Sequence, residues 1–91
     1  MRKLCINLYE TDNRETLHQK FKEAFEFKED YGNNLDALYD MLTEISKPMQ
    51  LVLNLDKAFL KHDEKYKAAF LRMLKNAAYD NRDLTLDINY I

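Results

Sequence analysis

Three segments of the chain alternate apolar and polar residues, a pattern typical of β-strands that bury one face. They span about residues 3–8, 49–55 and 84–90. Parallel strands covered on both faces usually read as continuous apolar runs instead. The alternation therefore predicts a sheet with helices mainly on one face and a second face that is largely wet.

Apolar residues at helical spacing predict one helix early in the chain and another near its end. The early helix begins after Asp12 or Asn13, either of which can act as its N-cap, and ends near residues 26–27. The late helix begins after Asp63, a second candidate cap, and continues to about residue 80. Residues 56–62 form a connection with room for one short helical turn.

A middle helix is predicted from a turn, a stripe of apolar residues and a proline. Gly32 takes positive φ readily, so the turn is placed there, and Asn33 is the predicted N-cap. Pro48 ends the helix, because the residue before a proline is pushed out of the helical region. Whether the peptide bond before Pro48 is cis stays open. The apolar stripe has 3-4-3 spacing and consists of Leu35, Leu38, Leu42 and Ile45.

The element order β-α-α-β-α-β predicts one α/β domain over residues 1–91. Strands joined by helical crossovers run parallel, so we expect a three-stranded parallel sheet in a two-layer arrangement. A chain of 91 residues with a hydrophobic fraction of 46% is long enough and apolar enough to form one core.

The charge of the chain is unevenly distributed. Residues 29–46 contain five carboxylates and no Lys or Arg, although the whole chain has 16 acidic and 14 basic residues. On the middle helix, Asp36, Asp40 and Thr43 project from one side, and Tyr39 lies between that side and the apolar stripe. Asp36 complements the positive helix N-terminus, whereas Asp40 in mid-helix has no such compensation. The pattern fits a solvated face or a binding site for a basic partner.

Residues 31–43 also match a family signature. They read Tyr31-Gly32-x-Asn34-Leu35-Asp36-Ala37-Leu38-aromatic-Asp40-x-Leu42-Thr43. With this run, and with Leu17-His18-Gln19 in the first helix, the chain resembles the barstar family, intracellular inhibitors of secreted bacterial ribonucleases. The length, the element order and the proline before the second strand agree. The resemblance covers essentially the whole chain and implies a barstar-like fold.

The resemblance implies a mechanism of inhibition. The family inserts this helix and the preceding loop into the nuclease active-site cleft, where carboxylates occupy the positions of RNA phosphates and pair with Lys and Arg. Asp40 matches the principal carboxylate and Asp36 the second. Tyr39 stands where the family commonly has Trp. The expected partner-binding residues are Asp30, Tyr31, Asn34, Leu35, Asp36, Tyr39, Asp40, Thr43, Glu44 and Asn76.

Three of these positions depart from the best-known member of the family. Asp30 replaces an aromatic contact residue, Glu44 replaces a small residue, and Asn76 replaces a Glu that reaches the nuclease. Altered contact positions tune partner choice, so the sequence does not name the target. The expected partner is a basic protein of the ribonuclease type. The alternative is a non-inhibitory interaction domain that docks the same helix on another basic surface.

Enzymatic and cofactor-dependent classes find little support in the sequence. One cysteine and two distant histidines give no zinc-binding spacing. Cys5, in the centre of a strand, is a poor site for a nucleophile and is predicted to be a packing residue. His18, beside Leu17 on the first helix, is predicted to be a packing or surface residue and not a ligand. Magnesium binding by Asp36 and Asp40 remains a weaker alternative, because no third ligand cluster accompanies them. We expect no catalysis and no cofactor.

Composition also bears on partners and location. The net charge of −2 argues against direct nucleic-acid binding. No apolar run exceeds four residues, so we expect no membrane span. A lone cysteine cannot form an internal disulfide, which favours a reducing compartment. We therefore expect a cytoplasmic protein, monomeric before it binds its partner.

Overall fold

A computed structural model gives the architecture of the protein and describes residues 2–27 and 31–91. The predicted element order is confirmed. The elements are β1 (Arg2–Asn7), α1 (Arg14–Phe25), α2 (Leu35–Thr43), β2 (Met49–Leu55), α3 (Glu64–Asp80) and β3 (Leu84–Tyr90).

The three strands form one parallel sheet in the order β1-β2-β3, as predicted. In its register, Leu4 pairs with Leu51, and Leu51 pairs with Leu86. Because side chains alternate along a strand, this register aligns the apolar residues of all three strands on one face. The central strand is the most deeply buried, with Leu51, Leu53 and Leu55 fully covered.

All three helices contribute to the core on the apolar face of the sheet. The buried cluster includes side chains from each helix, namely Leu17 and Phe21 of α1, Leu38 and Leu42 of α2, and Phe70 and Leu74 of α3. In each helix these two residues are four positions apart, so they lie on one apolar face, which packs toward the sheet.

The opposite face of the sheet is largely exposed on its two outer strands. At its centre Cys5 pairs in register with Val52, and Val52 with Asp87. Val52 is buried, whereas Cys5 and Asp87 are exposed. The prediction that Cys5 is a packing residue was therefore wrong, because alternation places its side chain on the wet face.

Both α1 and α3 begin directly after a predicted cap residue, but only α1 has a capping hydrogen bond. The Asn13 side chain accepts a hydrogen bond of 2.8 Å from the Thr16 amide. Asp63 occupies the N-cap position of α3 without a capping hydrogen bond. Its carboxylate instead pairs with Arg14 at 2.7 Å. The Arg14 guanidinium also lies 4.1 Å from the centre of the Tyr66 ring.

The turn before α2 lies one residue later than predicted. Asn33 has the positive φ, at 51°, whereas Gly32 does not, and the N-cap is Asn34 instead of Asn33. Asparagine tolerates the left-handed region better than most residues. Gly32 is suited to this turn by its size, because an added Cβ would lie 3.1 Å from the Asn34 Nδ2 atom. The Pro48 peptide bond is trans.

His18 is buried beneath the loop that leads to α2. Its ring nitrogens form hydrogen bonds of 2.7 Å with two tyrosine hydroxyls, Nδ1 with Tyr31 and Nε2 with Tyr66. Of the two roles expected for His18, packing or surface, the structure shows packing. Burial lowers its pKa, because the charged imidazolium would lose hydration.

This lowered pKa predicts a pH dependence of stability. Below the ordinary histidine pKa of 6.5, the unfolded chain binds a proton that the folded chain resists, so the free energy of unfolding should fall as pH drops. We expect urea denaturation to show this loss between about pH 7.5 and pH 5.5. Replacing His18 by Gln should reduce the slope, and replacing the exposed His62 by Gln should not. Equal slopes in both variants would contradict this explanation.

Candidate partner-binding site

The carboxylates of Asp36 and Asp40 form an exposed ridge along α2. Both side chains are exposed, and Asp36 lies in the first turn of the helix. Neither makes a side-chain hydrogen bond or an ion pair with any residue in 2–27 or 31–91, where the single ion pair joins Arg14 to Asp63. We call Asp36, Asp40 and Thr43 the acidic ridge. Its charges face water and remain available to a partner.

Thr43 completes the ridge near the end of α2. Its hydroxyl donates to the Tyr39 carbonyl at 2.9 Å and lies 3.1 Å from the Asp40 carbonyl. Such back-bonding is common for threonine in helices. The hydroxyl proton is thus used within the helix, and its oxygen is left to accept a hydrogen bond.

Asn34 is positioned as a structural cap. Its Oδ1 accepts a hydrogen bond of 2.7 Å from the Ala37 amide, and its Nδ2 donates to the Gly32 carbonyl at 3.1 Å. Both polar ends of the side chain are therefore occupied within the protein. Its contribution to a binding surface is to hold the loop and the first turn of α2 in place.

Tyr31, which precedes α2, is buried and contacts His18 of α1. It is only 5% exposed, and its hydroxyl is bonded to His18. Burial raises the pKa of the Tyr31 hydroxyl, so the phenol stays neutral. Asp30, the other expected contact in this loop, lies outside the described residues.

An open cleft of about 270 Å³ separates one side of the ridge from α3. It brings the predicted residues Leu35, Asp36 and Tyr39 beside Asn76, although Asn76 is distant in sequence. Three further lining residues were not predicted as part of the site. They come from α3 and are Ala69, Arg72 and Met73. Together with Asn76 they lie at helical spacing and hence on one face of α3. This spacing is visible in the sequence and could have identified them.

Arg72 is the unexpected member of this cleft. Its place in the sequence did not predict a binding role, and its side chain is exposed. It shares the cleft with Asp36, yet the two do not form an ion pair within 4.0 Å. A positive side chain therefore lies at the margin of the acidic ridge.

A second cleft, of about 210 Å³, flanks the other side of the ridge. Asp40 and Glu44 line it on α2, and Tyr31 and Gly32 line it from the preceding loop. Of the predicted residues, the first cleft is lined by Leu35, Asp36, Tyr39 and Asn76, and the second by Tyr31, Asp40 and Glu44. The ridge thus has a cleft on each side.

The end of α3 contacts α2 at two points. The Tyr39 hydroxyl donates a hydrogen bond to the Asp80 carboxylate. The next residue, Asn81, is buried and donates from Nδ2 to the carbonyls of Leu42 and Ile45, at 3.0 and 2.9 Å. These two hydrogen bonds satisfy the carbonyl of Leu42, in the last turn of α2, and that of Ile45, just after the helix. The last carbonyls of a helix lack partners within it.

The described residues contain no group of three or more His, Cys, Asp or Glu side chains that could hold a metal ion. None of the helices α1 to α3 is long and apolar enough to cross a membrane. The surface is instead suited to pairing with cationic side chains, because exposed carboxylates accept charge-assisted hydrogen bonds from Lys and Arg.

The fold and the site together define an α/β domain that presents an acidic helix beside a capped loop. The family model described as Barstar (barnase inhibitor) matches residues 1–90. The chain therefore belongs to the barstar family, which is a family of inhibitors and not of enzymes.

A curated relative agrees with this assignment. The protein named "Putative ribonuclease inhibitor YrdF" from Bacillus subtilis (strain 168) is 44% identical over 54 residues. The aligned stretch spans 58% of this chain and 59% of the relative. The chain thus matches a little over half the length of that protein.

The capping role of Asn34 predicts a selective loss of stability. Replacing Asn34 by Ala should lower the free energy of unfolding by about 1 kcal/mol, because the Ala37 amide loses its acceptor. Asn34→Asp keeps a capping oxygen and loses only the hydrogen bond to the Gly32 carbonyl, so it should lose less stability than the Ala variant. Urea denaturation of both variants measures the difference, and an Ala variant as stable as the Asp variant would argue against the cap.

Proposed function

We propose that this protein is a cytoplasmic inhibitor that binds a basic ribonuclease and covers its active site with the acidic ridge and the loop before α2. It does so as a monomer, without a cofactor and without direct contact to nucleic acid. The ridge carboxylates take the place of substrate phosphates, and the flanking clefts receive side chains of the enzyme.

The observation that carries this proposal is the lack of internal partners for Asp36 and Asp40 within the described structure. Two like charges one helical turn apart destabilise a helix by a few tenths of a kcal/mol. The exposure of both carboxylates, at this cost in stability, is explained if they bind a positively charged surface on a partner protein. A ribonuclease that holds RNA phosphates with Lys, Arg and His supplies such a surface.

The two clefts support the same proposal. Tight interfaces rely on a few anchors surrounded by contacts that exclude water. Tyr39 on one side and Glu44 on the other extend the ridge into a broader surface. Family membership and the name of the curated relative add support from outside the geometry.

The direct test is inhibition of barnase, the enzyme named in the description of the family. Purified protein should abolish RNA cleavage at a ratio near one to one. A complex that forms while cleavage continues would favour the alternative, a docking domain that binds outside the active site. No complex and no inhibition would remove barnase as a target.

Asp40 should separate binding from stability. We expect Asp40→Asn to weaken the complex by about 2–5 kcal/mol, since the cation facing it would be buried without a partner. Its melting temperature should equal or slightly exceed that of the parent, because repulsion with Asp36 is relieved.

Asp87→Asn is the matched control for this experiment. It removes the same charge from an exposed position on the opposite face of the sheet. It should leave the dissociation rate unchanged and slow association only slightly at low salt. If the two variants bind alike, the acidic ridge is not the binding surface.

A further inference from the structure

We propose that Asp80 is a positioning residue that fixes the Tyr39 ring against the α2–α3 cleft before a partner arrives. This inference rests on the proposed function and adds a residue that the expected site did not contain. Asp80 acts through its hydrogen bond to the Tyr39 hydroxyl and is not itself required as a contact.

The geometry places Asp80 where it can restrain the ring. Tyr39 lines the cleft and is partly buried, while Asp80 is exposed at the end of α3. Their hydrogen bond joins two helices across 41 positions of sequence. The side-chain amide of the next residue, Asn81, bonds to the carbonyls of Leu42 and Ile45. The end of α3 thus holds the Tyr39 side chain directly and the backbone near the end of α2 separately.

A restrained aromatic side chain binds more tightly than a mobile one. An interface loses affinity for each side chain that must be ordered on binding, roughly 2- to 10-fold for a flexible one. Tyr39 has only two side-chain torsions, and the bond to Asp80 limits both. The loss of conformational entropy of the Tyr39 side chain therefore occurs when the protein folds, and not when the partner binds.

The hydrogen bond to Asp80 also determines which part of the Tyr39 side chain a partner can contact. Because its hydroxyl already donates to Asp80, the surface offers a partner the ring in place of a free hydroxyl donor. The carboxylate further raises the pKa of Tyr39, chiefly through this hydrogen bond. The phenol therefore stays protonated, and keeps its hydrogen bond to Asp80, to a higher pH than an ordinary tyrosine would.

The test combines a double-mutant cycle with barnase and a measurement on the unbound protein. The cycle compares the parent, Asp80→Ala, Tyr39→Phe and the double variant. If Asp80 works through Tyr39, Asp80→Ala should speed dissociation roughly 2- to 10-fold in the parent and have little effect in the Tyr39→Phe background. A loss confined to association and equal in both backgrounds would mean that Asp80 contributes only its charge, which would overturn the proposal.

Two further variants sharpen the comparison. Asp80→Asn removes the charge and keeps an acceptor oxygen, so its dissociation rate should stay near that of the parent. Tyr79→Phe removes a hydroxyl from a neighbouring side chain that is 90% exposed and should not change binding. A Tyr79 effect equal to that of Tyr39 would also count against the proposal.

The second measurement needs no partner. Titration of tyrosines labelled with ¹³C at Cζ, with Tyr39 assigned from the Phe variant, should show the Tyr39 pKa falling toward 10.0 in Asp80→Ala. An unchanged Tyr39 pKa would remove the positioning role alone. A parent protein that neither binds nor inhibits barnase would instead remove barnase as the target, and the Tyr39 titration would then decide the positioning role on its own.

Discussion

The stability of α2 is the constraint on which the binding surface depends. The helix has nine residues, fewer than an isolated helix needs to persist in water. It also carries two carboxylates on one side that have no ion-pair partner within the described residues. Its order must therefore come from the rest of the protein, through the buried side chains Leu38 and Leu42 and through side-chain bonds at both ends.

Those contacts tie the acidic ridge to rigid elements. The N-terminal end is fixed through the Asn34 cap and, further back, through Tyr31 and its bond to the buried His18. The C-terminal end is fixed by Asn81 of the α3–β3 connection. Because α1 and α3 both pack in the same core as the central strand, the exposed carboxylates are displayed on a surface with little freedom to rearrange.

The sequence predicted the elements well because their signals are periodic and local. Two-residue alternation located the strands, and the 3-4-3 stripe located α2. Parallel pairing followed from the order of the elements. The positions of the caps depended on single residues. Gly32 and Asn33 both tolerate turns, so the sequence does not separate their roles. In the structure Asn33 takes the positive φ, and Gly32 leaves room for the Asn34 side chain.

Contacts between distant elements were beyond the reach of local patterns. Nothing near Asp63 indicates that it pairs with Arg14, and nothing near Asp80 indicates that it accepts a hydrogen bond from Tyr39. Arg72 could be placed on a face of α3, but its position beside Asp36 depends on how the two helices pack. Family resemblance supplied Asn76, which the structure brings to the same cleft.

The exposed thiol of Cys5 has a practical consequence. It is the one cysteine of the chain, and it lies on the sheet face opposite the helices. A maleimide dye or a surface linker attached there would give a single, homogeneous conjugate. The immobilised molecule would point its acidic ridge away from the support, which suits it to single-molecule and biosensor work without any engineered tag.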